Sequence, residues 1–392
     1  VRRMTIVAAA ALAAAATFAS GAVASAAPLH RPVFPPGTPE TIAEGLLTPL
    51  SLAVSKQGTV YVSQTFAGTL NRVDDDGTVT EVASSAVAGN QVAAVSTKGK
   101  TVFYTETAPD HSSAVLKALP KHGDPYTVAD LYAHESETNP DQVNTYGFVG
   151  LPEDCAAQID PTVPPFLPAS YAGVVDTNPH GSLALDDGVY IADAGANAIL
   201  RADYDGTVET VAVLPAGDPV VATAEVIAMF GYPECAIGYE YRFEPVPTDV
   251  ELGPDGWLYV TSLPGGPESP ALGARGAVYK VNPDTGETIR VATGLVGATN
   301  LAISKKSGTI WVTELFGGAE GTGQVSVIRP NESTPEPYLA LSSPAAIELH
   351  KGSLYVTTDA FVPDDTGAPQ PIGKVTVVPL TGSGHAEDSA HR

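Results

Sequence analysis

The sequence predicts an all-β fold: a six-bladed β-propeller with four-stranded blades, its last blade closed by an N-terminal strand. Three observations predict it: a repeated strand pair, the period of that repeat, and an outer-strand pattern displaced to the N-terminal side of the first repeat. Each copy has an apolar alternating strand, a Gly-bearing turn and a second strand with an aromatic near its middle. These second strands are Thr59-Val60-Tyr61-Val62, Thr101-Val102-Phe103-Tyr104, Val189-Tyr190-Ile191, Leu258-Tyr259-Val260, Ile310-Trp311-Val312 and Leu354-Tyr355-Val356. Turns such as Asp186-Asp187-Gly188 and Pro254-Asp255-Gly256 precede them, the Gly supplying the positive φ that a short hairpin requires. A period of about 42 residues with four strands per unit is a propeller signature. Two intervals are longer, which places crossover insertions at about 132–176 and 216–245. Radial blades bury both faces of every sheet, in keeping with strands rich in Val, Ile and Tyr.

The outer strands repeat as well, at Gly77-Thr78-Val79, Gly206-Thr207-Val208 and Gly286-Glu287-Thr288. Their acidic turns, Asp74-Asp75-Asp76-Gly77 and Asp203-Tyr204-Asp205-Gly206, lack the full spacing of a calcium-binding EF-hand loop and read as hairpin turns. The last copy stops after Lys374-Val375-Thr376-Val377-Val378. Near the N-terminus, Glu40-Thr41-Ile42 followed by Gly45-Leu46 matches the outer-strand pattern Glu287-Thr288-Ile289 followed by Gly294-Leu295. The N-terminal strand is therefore expected to complete the last blade and remove its free edge.

Composition supports one closed domain. Of 392 residues, 44% are hydrophobic and 16% charged, and 38 Gly with 34 Pro imply frequent turns. Forty-four acids against twenty bases give a formal charge of −24, which repels nucleic-acid phosphates and anionic lipid. Arg2-Arg3 leads an Ala-rich apolar run ending in Ala24-Ser25-Ala26, the pattern of a signal peptide over 1–26 cleaved near Ala26. The expectation is a secreted, extracellular monomer. It has a linker at 27–37, a propeller at 38–380, a disordered tail at 381–392 and no membrane span. Two cysteines in an exported chain suggest a disulfide. Their surroundings match: Tyr146-Gly147-Phe148 leads to Pro152-Glu153-Asp154-Cys155-Ala156, and Phe230-Gly231-Tyr232 leads to Pro233-Glu234-Cys235-Ala236. A Cys155–Cys235 bridge is expected, with two buried free thiols as the alternative.

In a four-stranded blade the inner-strand start, the loop between second and third strands and the crossover share one face. Both insertions should therefore sit side by side there as a partial lid. Asn90, Asn178, His180, Asp249 and Asn300 are expected at the channel mouth. Glu106 and Glu314 end second strands; with Asp249 and Asn300 they are candidate oxygen ligands for Ca²⁺ or Mg²⁺. His180 and Glu314 are the candidate proton-moving residues. Each has a plainer reading, as a strand-end acid bound to backbone or a hydrogen-bonded packing histidine. No Gly-x-Ser-x-Gly elbow or P-loop is present, and His134-Glu135 lacks the second His of a zinc helix.

Two stretches carry a resemblance. Asn178-Pro179-His180-Gly181 leads to Val189-Tyr190-Ile191-Ala192-Asp193-Ala194-Gly195-Ala196-Asn197. Val246-Pro247-Thr248-Asp249-Val250 leads to Gly256-Trp257-Leu258-Tyr259-Val260. They resemble NHL repeats and the ScyD/ScyE family of exported propellers. That resemblance implies a six-bladed ring, with no catalytic residues to carry over. Two functions follow. One is a binding or scaffold propeller whose insertion-covered face engages a small molecule, glycan or protein. The other is a divalent-metal-dependent hydrolase or lyase at the channel mouth, lactonase-like or streptogramin-lyase-like by analogy of fold.

Overall fold

The computed structural model describes residues 33–162, 167–266, 272–319 and 321–381. The expected signal peptide, most of the expected linker and the expected tail beyond Thr381 lie outside the described residues. The chain is all-β apart from short helical turns, with seven four-stranded antiparallel sheets among the described residues. Six follow one another in chain order. Their inner strands are Leu52–Val54, Gln91–Lys98, Pro179–Ala184, Pro247–Leu252, Ala298–Ile303 and Ile347–His350. Each inner strand packs on the next and the last packs on the first, so the sheets close into a propeller ring.

Local chemistry explains the hairpins. In the turn after Thr69–Val73, the Asp74 carbonyl accepts from the Gly77 N–H at 2.9 Å. Asp76 Oδ1 accepts from the Thr78 N–H at 2.9 Å, and Arg72 donates to Asp74 at 2.7 Å. The acidic runs are thus self-capped hairpin turns. Second-strand aromatics serve the same ends: Tyr190 is buried, and its hydroxyl donates to Asp187 of the preceding turn at 2.8 Å.

The core is divided among the gaps between neighbouring sheets. One cluster joins Phe103, Leu116 and Leu131 to Val189, Ile191 and Leu200 across the second and third ring sheets. Another joins Trp311 and Val325 to Ile347, Leu354 and Val378 across the fifth and sixth. Each fully buried aliphatic or aromatic side chain contributes roughly 1.5–3 kcal/mol, so every sheet depends on both neighbours.

Closure follows the expected plan. Glu40–Leu46 pairs antiparallel with Gly373–Pro379, with Glu40 opposite Val377 and Leu46 opposite Gly373. Buried Ala43 and Leu46 then pack with Leu52, Val62 and Val375, joining the last sheet to the first. The Tyr338 hydroxyl donates to the Phe34 carbonyl at 2.7 Å, tying down the chain ahead of that strand.

The seventh sheet is built by the two crossovers. Thr145–Val149 pairs with Ser170–Ala172 from its own crossover and with Glu240–Arg242 from the other, which also pairs with Val220–Val221. Cys155 and Cys235, 80 residues apart, form a disulfide with Cα atoms 5.9 Å apart. Phe148, Cys155, Ile159, Ala222 and Ile227 pack beneath it, so the lid has a small core of its own.

Candidate functional site

The ring brings six inner-strand starts to one end, and side chains there bond across sheet boundaries. The Asp249 carboxylate accepts from the Leu301 N–H at 3.0 Å, and Asn300 Oδ1 accepts from the Ile347 N–H at 2.9 Å. Ser182 Oγ donates to the Ala94 carbonyl at 2.6 Å, and Ser51 Oγ accepts from the Val95 N–H at 2.8 Å. Gly181 permits the close approach of the third and fourth inner strands. A Cβ there would stand 2.4 Å from Asp249 Oδ1 and 2.6 Å from its Cα.

Where the first crossover returns to the ring, three side chains from separate segments influence one another. His111 lies in the hairpin loop between Thr101–Thr107 and Ala114–Pro120, in the left-handed region with φ 56°. Its Nδ1 is 2.7 Å from Asp176 Oδ1, at the end of the first crossover. This hydrogen bond, opposed by partial burial, raises the His111 pKa. Both side chains keep solvent access, at 28% and 39%. His180 opens the next inner strand. His180 is only partly buried, yet the protein around it is dense enough for desolvation to dominate. Burial, helped by the field of His111, pushes its pKa down to about 4. The site therefore pairs a histidine that holds its proton more tightly than usual with one that stays neutral.

The other sequence candidates fall elsewhere. Glu106 accepts from Lys117 at 2.8 Å and from Ser85 at 3.1 Å. Glu314 accepts from the Val296 N–H at 2.6 Å, from Gln324 at 2.8 Å and from Ser326 Oγ. Each is thus bound within or beside its own sheet, while Asp249 and Asn300 are engaged by backbone of the neighbouring one. The Asn178 N–H donates to Asp193 at 2.7 Å, fixing the start of the third inner strand, and the Asn90 N–H donates to the Val87 carbonyl at 3.2 Å. Among the described residues, no three His, Cys, Asp or Glu side chains are placed to hold a metal. As donors for a mouth-bound Ca²⁺ or Mg²⁺, these four side chains do not fit.

Sequence reasoning missed His111 and Asp176, which look like ordinary loop residues until the crossover folds back. It also missed the charged group formed by Glu251 and Glu348 of the fourth and sixth inner strands with Lys305, just after the fifth. Burial pushes Glu251 up to about 7 and raises Glu348 well above the carboxylate range. Lys305 donates to the Leu252 carbonyl at 2.6 Å, and burial lowers its pKa. A signal was present: Val250-Glu251-Leu252 and Ile347-Glu348-Leu349 each set one acid inside an apolar inner strand.

No family model matches the sequence, and no curated protein matches it. Among solved structures, the chain is similar to a PQQ-bound aldose sugar dehydrogenase from Streptomyces coelicolor, at 14% identity and a TM-score of 0.51, covering 88% of this chain and 99% of that one. It is also similar to a gluconolactonase from Xanthomonas campestris, at 12% identity and a TM-score of 0.51, covering 89% and 98%. At such identities the likeness shows the fold, a propeller, and nothing finer.

Proposed function

We propose that this chain is an exported propeller enzyme, a hydrolase or lyase acting on a carbonyl-bearing small molecule such as a lactone. Its chemistry is assigned to His111, Asp176 and His180, where the first crossover returns to the ring. The observation that carries this reading is the His111–Asp176 hydrogen bond at 2.7 Å beside a neutral His180. Asp176 accepts from Nδ1–H of His111, which leaves Nε2 to take a proton from water or from an acidic C–H and to return it to the departing oxygen. A raised imidazole pKa suits that work near neutral pH. His180, too weakly basic to be protonated there, donates its ring N–H to the substrate carbonyl as charge builds on its oxygen. No step runs through a metal, because the four candidate ligands are engaged elsewhere. The gluconolactonase likeness agrees with this choice at the level of fold only. Membership of the ScyD/ScyE family, resting on the two stretches quoted above, belongs to the same proposal.

The test is turnover of a panel of aldonolactones and activated esters by the mature protein. His111→Gln is expected to lower kcat/KM by about 100-fold or more. Asp176→Asn should lower it less and shift the pH profile to lower pH. No turnover across the panel, or a fully active His111→Gln protein, would sink the reading.

One observation favours a binding role for the same face. Val174, Val175, Val221 and Ile237 of the two crossovers are between 43% and 52% exposed. Exposed apolar side chains gathered on one lid suit a small-molecule, glycan or protein partner. Pull-down with alanine at these four positions separates the readings: lost capture with unchanged turnover supports binding alongside catalysis.

A further inference from the structure

The root of the first crossover is packed on the third ring sheet through oxygen atoms that lack donors. Helix Leu131–Thr138 starts at Asp130, whose carboxylate accepts from the Ala133 N–H at 2.9 Å, and stops at left-handed Asn139 with φ 38°. Between those caps Glu135 is 0% exposed, and neither of its carboxylate oxygens has a hydrogen-bond partner. It faces Asp193 at the end of a second strand, Asp141 in the turn Pro140–Val143, and Asp176 on the returning chain. Asp193 Oδ2, Asp141 Oδ1 and Thr177 Oγ1 are buried there without partners too. Asp141 packs closely against Gly173, where a Cβ would be 1.9 Å from Oδ1.

The surrounding charges are spoken for. Of the strands packed on the helix, one carries Lys117, held by Glu106 at 2.8 Å, and the other carries Glu209, held by Arg201 at 3.1 Å. Asp141 Oδ2 accepts from Asn197 at 2.8 Å and from the Tyr146 hydroxyl at 3.1 Å, and His111 is turned to Asp176. A buried carboxylate without donor or counter-charge is strongly disfavoured, whereas a protonated carboxyl is itself a donor.

We propose that this cluster is a proton-operated clasp: Glu135, held as a neutral acid, binds the crossover root to the third sheet, and loss of its proton frees the root and opens the mouth beside His111 and His180. This goes beyond the enzymatic reading and does not depend on it. Burial, with the charge of Asp193 second, pushes the Glu135 pKa up to about 8, and the backbone N–H of Asp176 draws it back only in part. A raised acid favours the closed form most below its ordinary value of 4.5, and that advantage drains away as pH climbs to about 8.

Hydrogen–deuterium exchange of the disulfide-intact, EDTA-treated protein tests it at about pH 5.5 and about pH 9, corrected for intrinsic rates. Residues 131–149 are expected to lose at least about ten-fold in protection at the higher pH, while the inner strand Gln91–Lys98 holds. Glu135→Gln, whose amide donates at every pH, should stay protected at both. Equal loss in Glu135→Gln overturns the clasp. If that variant does not fold, the wild-type profile decides alone: no opening transition between the two pH values overturns it as well.

Discussion

The neutral state of His180 should show directly in the pH dependence of stability. In the folded protein its pKa is about 4, against 6.5 for a free imidazole. The sign follows from proton binding. Below pH 6.5 the unfolded chain takes up a proton at this ring and the folded one does not, so acid favours unfolding. The contribution is intact above 6.5, is lost as pH falls, and stops changing once pH is below about 4. Every tenfold difference in proton affinity between the folded and unfolded ring is worth about 1.4 kcal/mol, which sets an upper value of roughly 3 kcal/mol. The partial exposure of His180 reduces that, leaving about 2 kcal/mol by pH 4.5.

The assay is guanidinium unfolding at pH 7, 5.5 and 4.5, for the wild type and for His180→Gln. Carboxylates that accept hydrogen bonds, such as Asp74 and Asp76, also lose stability in acid, but equally in both proteins, so the difference isolates the ring. The wild type should lose about 2 kcal/mol more than the variant between pH 7 and 4.5. Imidazole resonances of His180 followed by NMR should titrate near pH 4. Parallel losses in the two proteins, or an NMR midpoint above 6, would refute both the burial argument and the neutral donor role.

Further outcomes follow from packing. Changing Cys155 and Cys235 to Ser opens a loop of 80 residues and should cost up to about 4 kcal/mol, read by denaturant unfolding of the non-reduced protein. Removing residues 33–46 strips the closing strand and the burial of Ala43 and Leu46; thermal melting should fall by roughly 5–10 °C. Trp311, 1% exposed between the fifth and sixth sheets, should cost roughly 3–5 kcal/mol on change to Ala. Gly181→Ala forces a methyl into the Asp249 backbone and should destabilise by more than about 1 kcal/mol, although Ala is ordinarily the better-ordered residue.

Much of the architecture was legible because its causes are local. Alternating Val and Tyr, turn glycines and a fixed spacing specify strands and hairpins within a few residues of themselves. The displaced Glu40–Leu46 strand was visible because it repeats the pattern of Thr288–Leu295. The disulfide was legible from two similar stretches around Cys155 and Cys235.

The site is another matter. His111, Glu135, Asp176 and His180 come from a hairpin loop, a helix, a returning chain and an inner strand, and no short-range pattern marks them as neighbours. Asp249 and Asn300 look like free ligands in sequence, yet the adjoining strand offers each an N–H that only ring closure brings into reach. Sequence alone determined which segments become strands and in what order they pair, since those preferences act between near residues. Burial, and with it the charge state of His180 and Glu135, was decided by the tertiary structure, because desolvation and electric field sum over every segment that folds around a group.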